Sequence, residues 1–164
     1  MASSTTPLVV GCMQVGQRYG RLVVAGGQDG IVRIYTLAKG EAVGRENENE
    51  NYSLASTTST LGDPMRELKG FLPGQGRGGV ERVSLDIQEE HVGAVMDGLI
   101  KVWDLRNGQV VRTFNLYSEG ESQVCKESSG CVGVQFHPVK DIIAVGNGEK
   151  IVLFDMRKRN IIHR

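Results

Sequence analysis

The sequence has no surplus of charge of either sign: 19 basic and 19 acidic residues leave a formal net charge of zero over 164 residues. Binding to nucleic acid or to an anionic membrane draws on a sustained cationic surface, so the balance argues against both. Cysteine is scarce as well. Cys12, Cys125 and Cys131 are an odd number at no framework spacing, which argues against a disulfide scaffold and for reduced thiols in an intracellular protein. No apolar stretch approaches the ~18 residues that a spanning helix needs. The opening MASSTTPLVVGC has no basic start and only a short apolar run, unlike a secretory signal. A cytoplasmic or nuclear protein, not a secreted one, is the expectation, and the Asn51-Tyr52-Ser53 sequon then stays idle.

The motifs of catalysis are missing too. There is no nucleophile elbow, no spaced carboxylate pair and no cofactor fingerprint. The glycine-rich GQGRGG at 74–79 lacks the preceding strand, the Lys-Ser or Lys-Thr and the following helix that a phosphate loop needs. It reads as a loop. His91 and His163 have no ligand partners at useful spacing, and Cys125 and Cys131 lie within a Ser/Glu-rich loop, whereas structural zinc wants four ligands in close pairs. No catalytic residue, no metal and no cofactor is expected.

What the chain does have is glycine, 22 residues of it, together with abundant Val and Ile. That profile suits short strands joined by tight turns. One pattern occurs three times: LVVAGGQDGIVRIYTL from Leu22, HVGAVMDGLIKVWDL from His91 and IIAVGNGEKIVLFDM from Ile142. Each copy is an apolar run, a polar-Gly turn and a second apolar run holding one aromatic, respectively Tyr35, Trp103 and Phe154. Such internal repetition is the signature of a propeller, solenoid or array. Asp29-Gly30 and Asp97-Gly98 supply the positive φ values of two-residue hairpins, and Asn147-Gly148 offers similar chemistry.

Further strands bracket each hairpin. Leu8–Val15 precedes the first, Val80–Ile87 the second and Cys131–Phe136 the third. After the second, Asn107-Gly108 turns into Val110–Leu116, and Ile161 begins an outer strand after the third. The repeating unit is therefore four antiparallel strands, the size of one propeller blade. The aromatics lie 68 and then 51 residues apart, more than the ~40–45 of a blade. The excess falls in two polar stretches. Residues 44–66 read as a disordered insertion within the first unit (8–43 plus 67–71), and 118–130 as a loop between units 80–117 and 131–164. All of 1–164 reads as one partial propeller domain.

At these residues the chain resembles the WD-repeat β-propeller family. DGLIKVWDLRNGQVVRTF, residues 97–114, carries the closest likeness: the Asp97-Gly98 turn, Trp103-Asp104, and the Asn-Gly turn into the outer strand. The third copy is similar through Phe136-His137-Pro138 and Phe154-Asp155, and the first is looser, with Tyr35-Thr36. The resemblance implies structural places for Asp29, Gly30, Asp97, Gly98, Asp104, His137 and Asp155, and it makes the three aromatics core anchors facing a neighbouring blade. Members also join each blade through a buried network that uses a His before the first strand and a hydroxyl on the second. The second copy has neither, and the third has no such His and carries Glu149 after Asn147-Gly148, so these blades should depend mainly on apolar burial, at ~25 cal/mol per Å².

Propellers close with four to eight blades, and the sequence supplies about three. An open array leaves unpaired strand edges, so the ring is open, completed by a partner protein or a second copy, or completed by sequence missing from this chain. The resemblance implies a noncatalytic scaffold that presents loops and blade edges to other proteins. The loops to watch are Gln17–Arg21, Lys69–Gly79 and Ser118–Gly130. The alternatives are RNA association through the Arg66–Arg82 loop and the basic cluster at 157–159, and a truncated fragment without activity of its own.

Overall fold

The computed structural model describes residues 9–18, 20–36, 64–71, 79–116, 131–147, 150–158 and 161–163. Every regular element among them is a strand. β1 (Val10–Val15), β2 (Leu22–Gly27), β3 (Val32–Thr36) and β4 (Arg66–Leu68) form blade 1. β5 (Arg82–Leu85), β6 (His91–Met96), β7 (Leu99–Asp104) and β8 (Val110–Asn115) form blade 2. β9 (Cys131–Phe136), β10 (Ile142–Asn147), β11 (Lys150–Asp155) and β12 (Ile161–His163) form blade 3. Each blade is a four-stranded antiparallel sheet in chain order. No helix among the described residues is long and apolar enough to cross a membrane.

The hairpin at Asp97-Gly98 has two residues between the paired Met96 and Leu99, with φ of 51° and 71°. Such a turn matches the twist of its strands. The first copy differs from the two-residue hairpin predicted for it. Gly27 N–H bonds Ile31 O and Gly30 N–H bonds Gly27 O, so three residues make the loop, and only Gly30 has positive φ, at 77°. The Asp29 carboxylate accepts the Ile31 N–H and grips the Arg33 guanidinium, which holds Asp29 at negative φ. In the third copy Asn147 is itself in the ladder, opposite Lys150, and residues 148 and 149 lie outside the described residues.

Two strand limits also move. The strand predicted over Val80–Ile87 spans only Arg82–Leu85. Val80 leaves it to donate to Gly27 O of blade 1, and Asp86 ends it by accepting the Glu90 and His91 N–H groups on Oδ1. Arg66, placed in the insertion by its composition, starts β4 opposite Ile34. The segment 44–63, the loop 118–130 and the glycine-rich 74–78 lie outside the described residues.

The three aromatics hold the same register position. Tyr35 pairs with Val23, Trp103 with Val92 and Phe154 with Ile143. Successive residues of a strand point to opposite faces, so each blade has two apolar faces. One core joins blades 1 and 2: Val24, Val32, Ile34 and Leu68 meet Val83, Leu85, Val92 and Trp103. A second joins blades 2 and 3, where Val95, Ile100, Val102 and Phe114 meet Val134, Phe136, Ile143 and Phe154.

Polar contacts fix these interfaces. Trp103, fully buried, donates Nε1–H to Lys69 O at 3.3 Å and meets the Phe71 ring edge-on at 5.6 Å. A Cβ at Gly70 would stand 3.2 Å from the indole, so the start of the Lys69–Gly79 loop is packed against blade 2. Phe154 lies 4.8 Å from Phe114. Ser84, the buried polar residue among the described core, accepts Phe136 N–H across the second interface. Two arginines repeat one device. Arg66 and Arg112 occupy matching outer-strand positions, opposite Ile34 and Val102. Arg66 donates to Leu105 O and Arg112 to Met156 O, each acceptor lying two residues after the next blade's aromatic.

Trp103→Ala removes the largest buried side chain and its bond to Lys69 O. It is expected to lower unfolding free energy by about 3–5 kcal/mol, read from the urea midpoint. Trp103→Phe, which keeps a ring against Phe71, should cost less. Equal losses would show that the ring contact contributes nothing.

Candidate functional site

Where both are described, the turn after a blade's first strand and the turn after its third strand share one rim. The second-blade turn Asp86–Glu90 and the third-blade turn His137–Asp141 face each other there. Between them lies a cleft of about 630 Å³, lined by Asp86, Ile87, Gln88, His91, Val111 and Arg112 from blade 2 and by Phe136–Asp141, Met156 and Arg157 from blade 3.

Short-range hydrogen bonds shape its walls. His91 Nδ1 meets Asp86 Oδ2 at 3.1 Å. That bond, with the nearby carboxylates, raises the His91 pKa above its ordinary 6.5 against the opposing effect of burial. Burial alone would push the Asp86 carboxyl up, but the bonds from the His91 ring and from the His91 and Glu90 backbone outweigh it and hold it below 3.8. His137 Nδ1 accepts both Val139 N–H at 3.1 Å and Lys140 N–H at 3.0 Å. Arg157 pairs with Asp141. Asp104 Oδ1 accepts Arg106 N–H, and Asp155 Oδ1 accepts Arg157 and Lys158 N–H. The two bonds on Asp155 lower its pKa. Both aspartates therefore close the turns that follow the inner strands.

The remaining positions singled out in the sequence fall elsewhere. Asp97 and Gly98 lie at the opposite rim, where Asp97 N–H donates to Glu81 Oε1 at 2.9 Å. Asp29 and Gly30 share that rim, with Asp29 held below 3.8 chiefly by its Arg33 bond. Trp103 and Phe154 are inside the two interfaces. Tyr35 is not. It forms a separate small cluster with Val23 and Ala25 on the face of blade 1 turned away from blade 2. Met13 and Val15 pair with Ala25 and Val23 and so share this face, 69% and 48% exposed.

Cys12 is a half-buried free thiol whose Sγ bonds Val80 O, and burial pushes its pKa up. Among the described residues no group of three His, Cys, Asp or Glu is placed to hold a metal. Sequence reasoning missed the Asp86–His91 pair and the two arginine links. The repeat carries a signal for the latter, because Arg66 and Arg112 become equivalent once the outer strands are aligned on the aromatics.

No protein-family model matches the sequence, and no curated protein does. Solved structures do match. U3-55K aligns at TM-score 0.63 and 10% identity over 96% of this chain and 39% of that one. The β-propeller domain of Myceliophteria thermophila Cps50 (Swd1) aligns at 0.62 and 17%, over 97% and 40%. The RRP9 WD40 repeats align at 0.62 and 10%, over 97% and 39%. The chain has the WD40 β-propeller fold. It spans about two fifths of the length of these WD40 structures, which agrees with the three blades seen, and at such identities the likeness bears on fold alone.

The His91–Asp86 pair links WD40 blade stability to pH. A histidine whose folded pKa is raised stabilises fully below its unfolded value near 6.5, and that contribution is lost as pH rises through the folded value. The thermal midpoint should therefore fall from about pH 6 to about pH 8.5 more steeply in the wild type than in His91→Gln. Equal slopes would remove the pair from the account. Asp86 acts at the other end, its contribution fading as pH drops below the ordinary carboxylate range.

Proposed function

We propose that this WD40 chain is a noncatalytic scaffold that presents blade faces and rim loops to partner proteins within a larger complex. The observation that carries this reading lies on the face of blade 1 turned away from blade 2. There Tyr35, Val23 and Ala25 are themselves buried, and beside them Met13 and Val15 are exposed. Exposed apolar side chains next to each other on one sheet face suit a surface that another protein covers. Rigid blades also hold the rim turns in fixed relative positions, which reduces the ordering cost of binding.

The partner on this face is a blade-like surface of another protein or of a second copy, completing further blades of the ring. The nucleic-acid reading has less support. Within the 157–159 cluster, Arg157 is engaged by Asp141, and Asp86 and Asp141 stand on the same rim.

The reading is tested by retention of partners on the purified chain. Met13→Glu with Val15→Glu alters exposed positions only, so the thermal midpoint should stay within about 2 °C. At least one protein held by the wild type should be lost by the double variant. Light scattering on the wild type tells whether that protein is a second copy. An unchanged set of partners would overturn the assignment of this face.

A further inference from the structure

The two inter-blade gaps on the rim are flanked by equivalent turns, yet they differ in what crosses them. Between blades 1 and 2 hydrogen bonds run directly across. Arg18 Nη1 donates to Gln88 Oε1 at 2.8 Å, Arg18 N–H to Glu89 Oε1 at 3.2 Å, and Gln14 Oε1 accepts Leu85 N–H at 3.0 Å. The Glu89 carboxylate lies directly against Gly16, in the space a Cβ would need. Glu89 itself adopts φ of 57°, an unfavourable backbone for a non-glycine residue.

Between blades 2 and 3 the turn in the place of the one after β1 is Asp86–Glu90, and a cleft of about 630 Å³ lies between it and His137–Asp141. Its lip is chemically specific. Val139 at the turn tip is 88% exposed and Ile87 on the facing wall 38%, and Pro138 also lines the cleft. Turn tips ordinarily carry Gly, Asn, Asp or Ser, and an aliphatic tip does nothing for the turn itself. Beside it the exposed Lys140 ammonium meets no carboxylate among the described residues. The two N–H bonds accepted by His137 Nδ1 place that ring's proton on Nε2, so the exposed His137 keeps a donor in the same turn as Lys140.

We infer that this cleft is a docking site for an acidic peptide segment of a partner protein, one in which an aliphatic side chain stands next to a carboxylate. The aliphatic group would sit on Ile87, Pro138 and Val139, and the carboxylate would take Lys140 and His137 Nε2–H. An RNA strand fits worse. Binding single strands uses aromatic rings as stacking platforms, whereas Phe136, the aromatic in the lining, is buried.

The inference rests on the scaffold reading but uses a different surface from the Met13 and Val15 face of blade 1, so the two can fail separately. The test selects a random peptide library displayed on phage against the immobilised full chain, then measures the recovered peptides by fluorescence polarisation. Peptides pairing Asp or Glu with Leu, Ile or Val are expected. Val139→Ser and Lys140→Glu, both at exposed positions, should each weaken them by about tenfold with an unchanged thermal midpoint. Peptides without that bias, peptides indifferent to both substitutions, or no recovered peptide would overturn the cleft assignment. The scaffold reading would survive any of these if the blade 1 face still retains partners. Salt-sensitive binding of a uridine-rich oligonucleotide that Lys140→Glu abolishes would also overturn it, giving the cleft to nucleic acid.

Discussion

A four-stranded blade with apolar side chains on both faces cannot bury them by itself, and the rest of the structure follows from this constraint. In each of the two interfaces an aromatic from one blade is covered by the outer strand of the blade before it, Trp103 by Leu68 and Phe71 and Phe154 by Phe114. At ~25 cal/mol per Å² such burial is the main stabilising term, and it is directional. The aromatic side of a blade always looks back along the chain. Blade 1 therefore turns its aromatic side away from blade 2, with Tyr35 buried and Met13 and Val15 exposed there, as follows from the register that places Trp103 and Phe154 inside.

Burial explains adhesion but not alignment, because apolar contact is non-directional. The alignment comes from a few polar bonds across each interface. Arg66 and Arg112 bind backbone carbonyls of the next blade, the Trp103 indole N–H binds Lys69 O and Ser84 accepts Phe136 N–H. Bonds that involve a charged donor contribute more than neutral ones. Here most of the acceptors are backbone carbonyls, which any sequence supplies.

This also accounts for what could be read from the residues in advance. The hairpin at Asp97-Gly98 and the equivalence of Tyr35, Trp103 and Phe154 are local or periodic, so they show in the sequence. Blade number and the four-strand unit follow from the same periodicity. The three-residue loop at Asp29 was hidden because it depends on Arg33, four residues away, gripping the carboxylate. Arg66 looked like part of a polar insertion, since three residues are a short strand and its partner Ile34 is distant in sequence. The Asp86–His91 pair is brought together by a turn closed by Asp86 itself. The cleft was least legible, because its size depends on how closely two blades' turns approach, and no single segment encodes that distance.

The two clefts show how divergence within a repeat can create a site without new elements. Both interfaces keep the arginine link and the aromatic contact, so the blades are held at equivalent register. At the first, Gly16 removes a Cβ and lets the Glu89 side chain occupy the gap, while Arg18 reaches over to Gln88. At the second, the facing turn uses its polar atom internally, with His137 Nδ1 spent on the Val139 and Lys140 N–H groups. The turn is closed on itself, and its Val139 and Lys140 side chains line the cleft. Self-closure of the His137–Asp141 turn thus pre-orders the lip, and a pre-ordered lip is what lowers the entropic cost of taking up a flexible peptide.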